Sequence, residues 1–286
     1  MKTTPFSFRS RVFGFLVFII AATIFYAACK KDDKKDNNTT TTSSGLTNNP
    51  TAKAENDHNA GGIYKGIVAG SAGYVFIYFK NSSNLVYALL DFDGTHDSLV
   101  CSALNSYTLP GADITNAMFL SASGTKDTIL FSVKGDGTNP SMQVMIPGHT
   151  TSNAIRKETS TDELRVYKGD TYDTLAAGFY WCGSTKITTL GSVRQSNITI
   201  MVQGNTAVLL PSRYTDPCPS SQTPNAFVVQ MTNGAAEFDE PGPPKKKDKL
   251  TATDATVTGT SICIPPIDLG GEIDAYSSSI NAARVK

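Results

Sequence analysis

Beyond residue 60 the apolar positions of this chain recur with a period of two. Ile129, Phe131 and Val133 alternate with Thr128, Ser132 and Lys134, which puts one face in a core and the other in water. Val86, Ala88, Leu90 and Phe92 repeat the pattern, and Tyr74-Val-Phe-Ile-Tyr-Phe79 is apolar on both faces, as a central strand is. Ile198, Ile200 and Val202 lead to a Gly204-Asn205 turn, from which Ala207-Val-Leu-Leu210 returns as the partner strand. Thr251-Ala-Thr-Asp-Ala-Thr-Val-Thr258 predicts one more strand near the end. No long stretch here has helical spacing, and Gly, Asn and Asp break the chain into strand-length runs. The pattern predicts an all-β fold, an antiparallel β-sandwich or barrel.

A repeat divides that region. Ile63-Tyr-Lys-Gly66 is followed by Ala72-Gly-Tyr74 and Phe76, and Val166-Tyr-Lys-Gly169 by Ala177-Gly-Phe179 and Trp181. Two related β units follow, 61–160 and 161–286, either as two domains or as halves of one sandwich.

The N-terminal 60 residues have a different pattern. Lys2, Arg9 and Arg11 precede the apolar run Val12 to Ala28, and two small residues lead into Cys29. A positive start, an apolar core and small residues before a cut site are the layout of an export signal, here 1–28. The run is also just long enough for an uncleaved membrane anchor, although an anchor has no reason to end in Ala-Ala-Cys. Lys30 to Ala60 is Asn, Thr, Ser, Lys and Asp with little to bury, which predicts a disordered tether over 29–60 that carries a solvated His58. Its 31 residues after Cys29 would reach about 30 Å as a flexible coil.

Ala27-Ala28-Cys29 resembles the lipobox of bacterial lipoproteins, with Tyr26 where an aliphatic residue is usual. The resemblance implies cleavage before Cys29, diacylglycerol on its thiol and acyl chains such as palmitate. Two or more chains hold a protein stably on a membrane, whereas one binds marginally. Cys29-Lys-Lys-Asp-Asp33 also resembles the export signal of surface lipoproteins in one group of Gram-negative bacteria, where a lysine and two acidic residues follow the lipidated cysteine. A solvated charge run is the competing reading. The address implied is the outer membrane, facing the cell exterior.

Charge changes the picture little. Cleavage would remove three of the 25 basic residues, leaving 22 against 25 acidic ones, so no nucleic-acid surface is expected. Lys245-Lys-Lys247 reads as a solvated loop. The cysteines Cys101, Cys182, Cys218 and Cys263 are even in number and suit an oxidising compartment. One disulfide from Cys218 to Cys182 or Cys263 is the economical expectation, with buried free thiols as the alternative for two of the four. No spacing matches a zinc site and His96 and His149 stand apart, so neither metal nor cofactor is expected.

One segment looks catalytic. Leu89-Leu-Asp91-Phe-Asp93-Gly-Thr95 resembles the first motif of haloacid-dehalogenase-type phosphatases, which implies Asp91 as nucleophile and Asp93 as general acid/base beside magnesium. That chemistry needs the end of a parallel strand with returning helices. The residues after Gly94 read instead as the second strand of a hairpin turned by Asp93-Gly94. No nucleophile elbow appears and no carboxylate pair stands out. Tyr74, Phe76, Tyr78, Phe179, Tyr180 and Trp181 could form a sugar-stacking surface, with a core role favoured for most. The sequence favours a noncatalytic surface lipoprotein with a binding or structural β domain. Tyr180 and Trp181 are its candidate ligand contacts, a glycan or an envelope protein its candidate partner, and an envelope hydrolase the alternative.

Overall fold

The computed structural model describes residues 46–69, 73–175, 178–182, 185–189, 193–211, 227–239, 247–260 and 276–285. Among them are eighteen strands and two short 3-10 turns, Ala54–Asn56 and Ser102–Leu104, but no α-helix. The first eight strands are β1 (Gly62–Ala69), β2 (Gly73–Phe79), β3 (Val86–Phe92), β4 (Thr95–Val100), β5 (Ile114–Ser121), β6 (Thr128–Val133), β7 (Ser141–Met145) and β8 (Ser152–Glu158). They form an antiparallel meander that curls until β8 pairs with β1, leaving one seam between β7 and β8. The all-β expectation holds, in the nearly closed barrel form rather than the sandwich.

The remaining strands are β9 (Leu164–Leu175), β10 (Gly178–Cys182), β11 (Thr185–Thr189), β12 (Val193–Gln203), β13 (Thr206–Pro211), β14 (Phe227–Gln230), β15 (Ala235–Asp239), β16 (Lys247–Ala252), β17 (Thr256–Thr260) and β18 (Tyr276–Arg284). Eight of them make a second curled sheet in which β18 closes on β9 and the seam falls between β14 and β15. β10 and β11 form a separate hairpin beyond the far ends of β9 and β12.

Alternation explains both interiors. Val75, Ile77 and Phe79 of β2, Phe119 of β5 and Phe131 of β6 fill the first barrel, and Ile198, Ile200, Leu209, Leu250 and Ile280 fill the second. An eight-stranded barrel is just wide enough for such side chains to meet across it. The barrels touch through outer faces, where Ile67 and Phe76 pack on Leu164, Val166, Met201 and Val208. That contact explains why β2 is apolar on both sides: one face is inside its barrel and the other is under its neighbour.

Three expectations are corrected. Residues 46–60 are not a loose tether, because Ala52, Asn56 and Ala60 are buried and the segment is bonded to both barrels. The Thr-rich strand breaks at Thr253, whose Oγ1 accepts from the N–H groups of Ala255 and Thr256 and so turns the chain between β16 and β17. The repeat extends over the opening strand only: Gly73 begins a neighbour of β1, whereas Gly178 begins the separate hairpin.

Candidate functional site

The Tyr-Lys-Gly repeat opens each barrel, and each of its residues does the same work twice. Tyr64 and Tyr167 are fully buried inside their barrels. Tyr64 Oη donates to Ala60 O at 2.8 Å and Tyr167 Oη to Thr253 O at 2.7 Å. Burial pushes the Tyr167 hydroxyl up to about 12 and raises Tyr64 further. Lys65 and Lys168 point the other way, into the contact between barrels. Lys65 Nζ pairs with Glu158 and donates to Leu164 O at 2.7 Å, and Lys168 Nζ donates to Asp91 Oδ1 at 2.7 Å. Gly66 and Gly169 lie where the closing strand crosses, opposite Ile155 and Ala282.

The closing strands complete the parallel. Lys157 of β8 is paired opposite Tyr64, and Arg284 of β18 opposite Tyr167. Lys157 Nζ lies 5.8 Å from the Tyr64 ring centre and donates to the carbonyls of Asn56 and Asn59. Burial pulls its pKa down to about 8, with Asp57 and Asp136 opposing the shift. At the second mouth Glu163 takes Arg284 and Arg165. Arg165 Nη2 lies 2.8 Å from Glu163 Oε2 and 3.5 Å from Asp254 Oδ1. Arg165 Nε and Nη2 make no aligned hydrogen bond among the described residues, so this guanidinium is held by charge.

One strap, residues 46–60, crosses both mouths. Its N–H groups at alternate residues donate to side chains: Thr47 to Asp254 Oδ1, Asn49 to Glu163 Oε2, Thr51 to Glu158 Oε1 and Lys53 to Asn81 Oδ1. A strand normally spends these donors on a sheet edge, and here four side-chain acceptors replace it. Leu46 packs on the core of the second barrel, and Ala60 lies in that of the first. Glu158 is the hub, with no exposed surface. It accepts from Lys65, from Thr51 and Ala52 of the strap, and from Leu164 N at 3.1 Å at the start of β9. Burial would raise its pKa, but the charge of Lys65 and the hydrogen bonds of Lys65 and Thr51 outweigh that and hold it down.

The segment that looked catalytic is the hairpin of β3 and β4, antiparallel throughout, with Asp93 and Gly94 both at positive φ in its turn. Asp91 is buried, and its two oxygens are engaged by Lys168 and by His96 Nδ1 at 2.9 Å. Asp93 is exposed in the turn. The pair therefore lacks the parallel-strand setting that phosphoryl transfer needs.

Cys101 is a free thiol buried in the first barrel, which removes it from the disulfide candidates. Burial raises its pKa. Cys218 and Cys263 lie outside the described residues, and so do the side chains of Cys182, Tyr180 and Trp181. The backbone puts Tyr180 opposite Ile187 and Trp181 opposite Lys186 in the β10–β11 hairpin. Tyr74, Phe76 and Tyr78 belong to the contact between barrels. Cys29 precedes the described residues. Among the described residues no group of three or more His, Cys, Asp or Glu is placed to hold a metal ion. Neither a family model, nor a curated protein, nor a solved structure matches this chain.

Proposed function

We propose that the chain is an outer-membrane surface lipoprotein, anchored through acylated Cys29, whose two barrels form a noncatalytic binding module. The observation that carries this reading is the strap. It begins at the mouth of the second barrel, where Thr47 and Asn49 are bonded to Asp254 and Glu163. Only the 16 residues 30–45 separate it from Cys29. A lipid at Cys29 would thus hold both mouths toward the membrane. The opposite end, to which β9 and β12 run and where the β10–β11 hairpin lies, would face outward with Tyr180 and Trp181. Apolar side chains occupy the interiors, so the module would bind by its surface, with a glycan or an envelope protein as partner.

The test has three parts. Mass spectrometry should find an acylated Cys29 as the first residue of the mature chain, and a chain starting at Met1 would refute the anchor. Protease added to intact cells should degrade the barrels if they face outward. A glycan-array or pull-down signal should be lost in Trp181→Ala. An envelope hydrolase is the competing reading, and phosphate-ester turnover abolished by Asp91→Asn would replace the binding module with it.

A further inference from the structure

The outer wall of the first barrel carries an apolar ladder that begins in the contact between barrels and runs out of it. Tyr78, packed against the second barrel, stacks on Tyr87 with ring centres 4.9 Å apart. Tyr87 is opposite Val100, Val100 opposite Leu120, and one strand further on Thr128 is opposite Met145. Val100 is 52% exposed, and Met118 and Leu120 are 50% exposed. The polar positions around them are neutral. No outward position of β4, β5, β6 or β7 carries Asp, Glu, Lys or Arg, in a chain of which 17% is charged.

We infer that this wall is the surface through which two copies of the chain pair, wall against wall, about a two-fold axis. Three observations select a second copy. The ladder continues an interface already built from one barrel's outer face on another's, so barrel-on-barrel packing is what this wall does where its partner is known. A neutral wall meets its own copy without like-charge contact, and an isologous pair is the commonest closed assembly. Loss of charge with enrichment of Met and Tyr is the composition of a protein contact. A membrane-facing surface carries a net basic rim or Trp, whereas the lysines flanking these strands are offset by acids, Lys134 by Asp113 at 2.7 Å and Lys126 by its neighbour Asp127.

The wall is five strands wide and three outward positions high, about 20 by 15 Å at ordinary strand spacings. About 300 Å² per copy suits a weak, exchanging dimer rather than a permanent one. A two-fold axis along the strands leaves both straps on one side, so two copies in one membrane can pair.

The test uses the full chain, purified in non-ionic detergent as two differently tagged preparations, with p-benzoylphenylalanine in place of Leu120. Irradiation should give an adduct of two chain masses carrying both tags, with a yield that rises with concentration. Val100→Lys should lower that yield about tenfold, as charge at the centre of a contact does. Val100 points outward, so the thermal midpoint of that variant should match the parent, and Met118→Lys repeats the test independently. An adduct with detergent or lipid alone, or a two-tag yield unchanged in both lysine variants, overturns the inference.

Discussion

Replacing Glu158 by alanine should be among the most damaging single changes in the protein. The substitution strips Lys65, whose side chain is 13% exposed, of its carboxylate and leaves it Leu164 O and the Phe76 ring as partners among the described residues. It also removes the acceptor of the Thr51, Ala52 and Leu164 N–H groups. Breaking one side of a buried pair costs about 3–5 kcal/mol. Release of the strap would let water reach Lys65, so the loss should sit near the lower bound, about 3 kcal/mol, against a total of about 5–15 kcal/mol for a folded domain. Urea unfolding followed by far-UV circular dichroism reads this as a lower midpoint, and limited proteolysis should show new cleavage within residues 46–60. Lys65→Met in the Glu158→Ala background should recover about 1–2 kcal/mol, because it removes the stranded cation. The lowered carboxyl pKa adds a pH signature. The contribution of Glu158 is complete above its unfolded value of about 4.5 and is lost as pH falls through the lower folded value. A loss under about 1 kcal/mol, or a double variant that is simply additive, would refute the hub.

Lys157 gives a pH dependence of the same sign in a more alkaline window. Its folded pKa of about 8 lies below the ordinary 10.5, so stability should rise as pH climbs between those values, and thermal midpoints from pH 7.5 to 9.5 should lose that slope in Lys157→Met. Cys101 should resist thiol reagents in the folded chain and react once urea unfolds it, since the thiol is 2% exposed with a raised pKa. Gly169→Ala should be far worse than Gly66→Ala. A Cβ at 169 falls 2.1 Å from the Asn281 carbonyl and 2.3 Å from Ala282 Cα, whereas at 66 the nearest atom is the movable end of Met142 at 2.5 Å. Urea midpoints of the two variants should differ by about 2 kcal/mol or more in equivalent stability.

Periodicity made the strands legible because each wall residue has a simple choice between core and water. Ile129, Phe131 and Val133 are inside, and the Asp93-Gly94 and Gly204-Asn205 turns fall where turn chemistry places them. The same logic misjudged residues 46–60. Local composition says that Thr, Asn and Lys have little to bury, and it cannot say that Asp254, Glu163 and Glu158, more than a hundred residues away, will supply acceptors. Thr253 failed for a related reason, since alternation counts a threonine as a strand residue and ignores its hydroxyl as a turn acceptor. The hub lay outside any motif. Glu158 is one carboxylate among many until β8 folds against β1 and meets the start of β9. The neutral wall was not read from the sequence, because the neighbours of Met118 and Leu120 depend on registers that only the folded sheet defines.

The repeat shows why three residues suffice to mark the start of a barrel twice. An opening strand must fill its barrel, accept a closing strand and present an outer face, and Tyr, Gly and Lys divide those tasks. The tyrosine fills the mouth and reaches a carbonyl with its hydroxyl. The glycine removes the Cβ that would strike the closing strand, most severely at Gly169. The lysine faces outward and finds a carboxylate at the contact between the barrels, Glu158 in one case and Asp91 in the other. Because both lysines end there, the motif that closes each barrel also docks it on its neighbour. The strap then reads both openings at once, through Lys157 at one mouth and Glu163 at the other. A substitution that loosens either barrel at its opening strand should therefore also release the strap, and the two barrels should lose their order together rather than in turn.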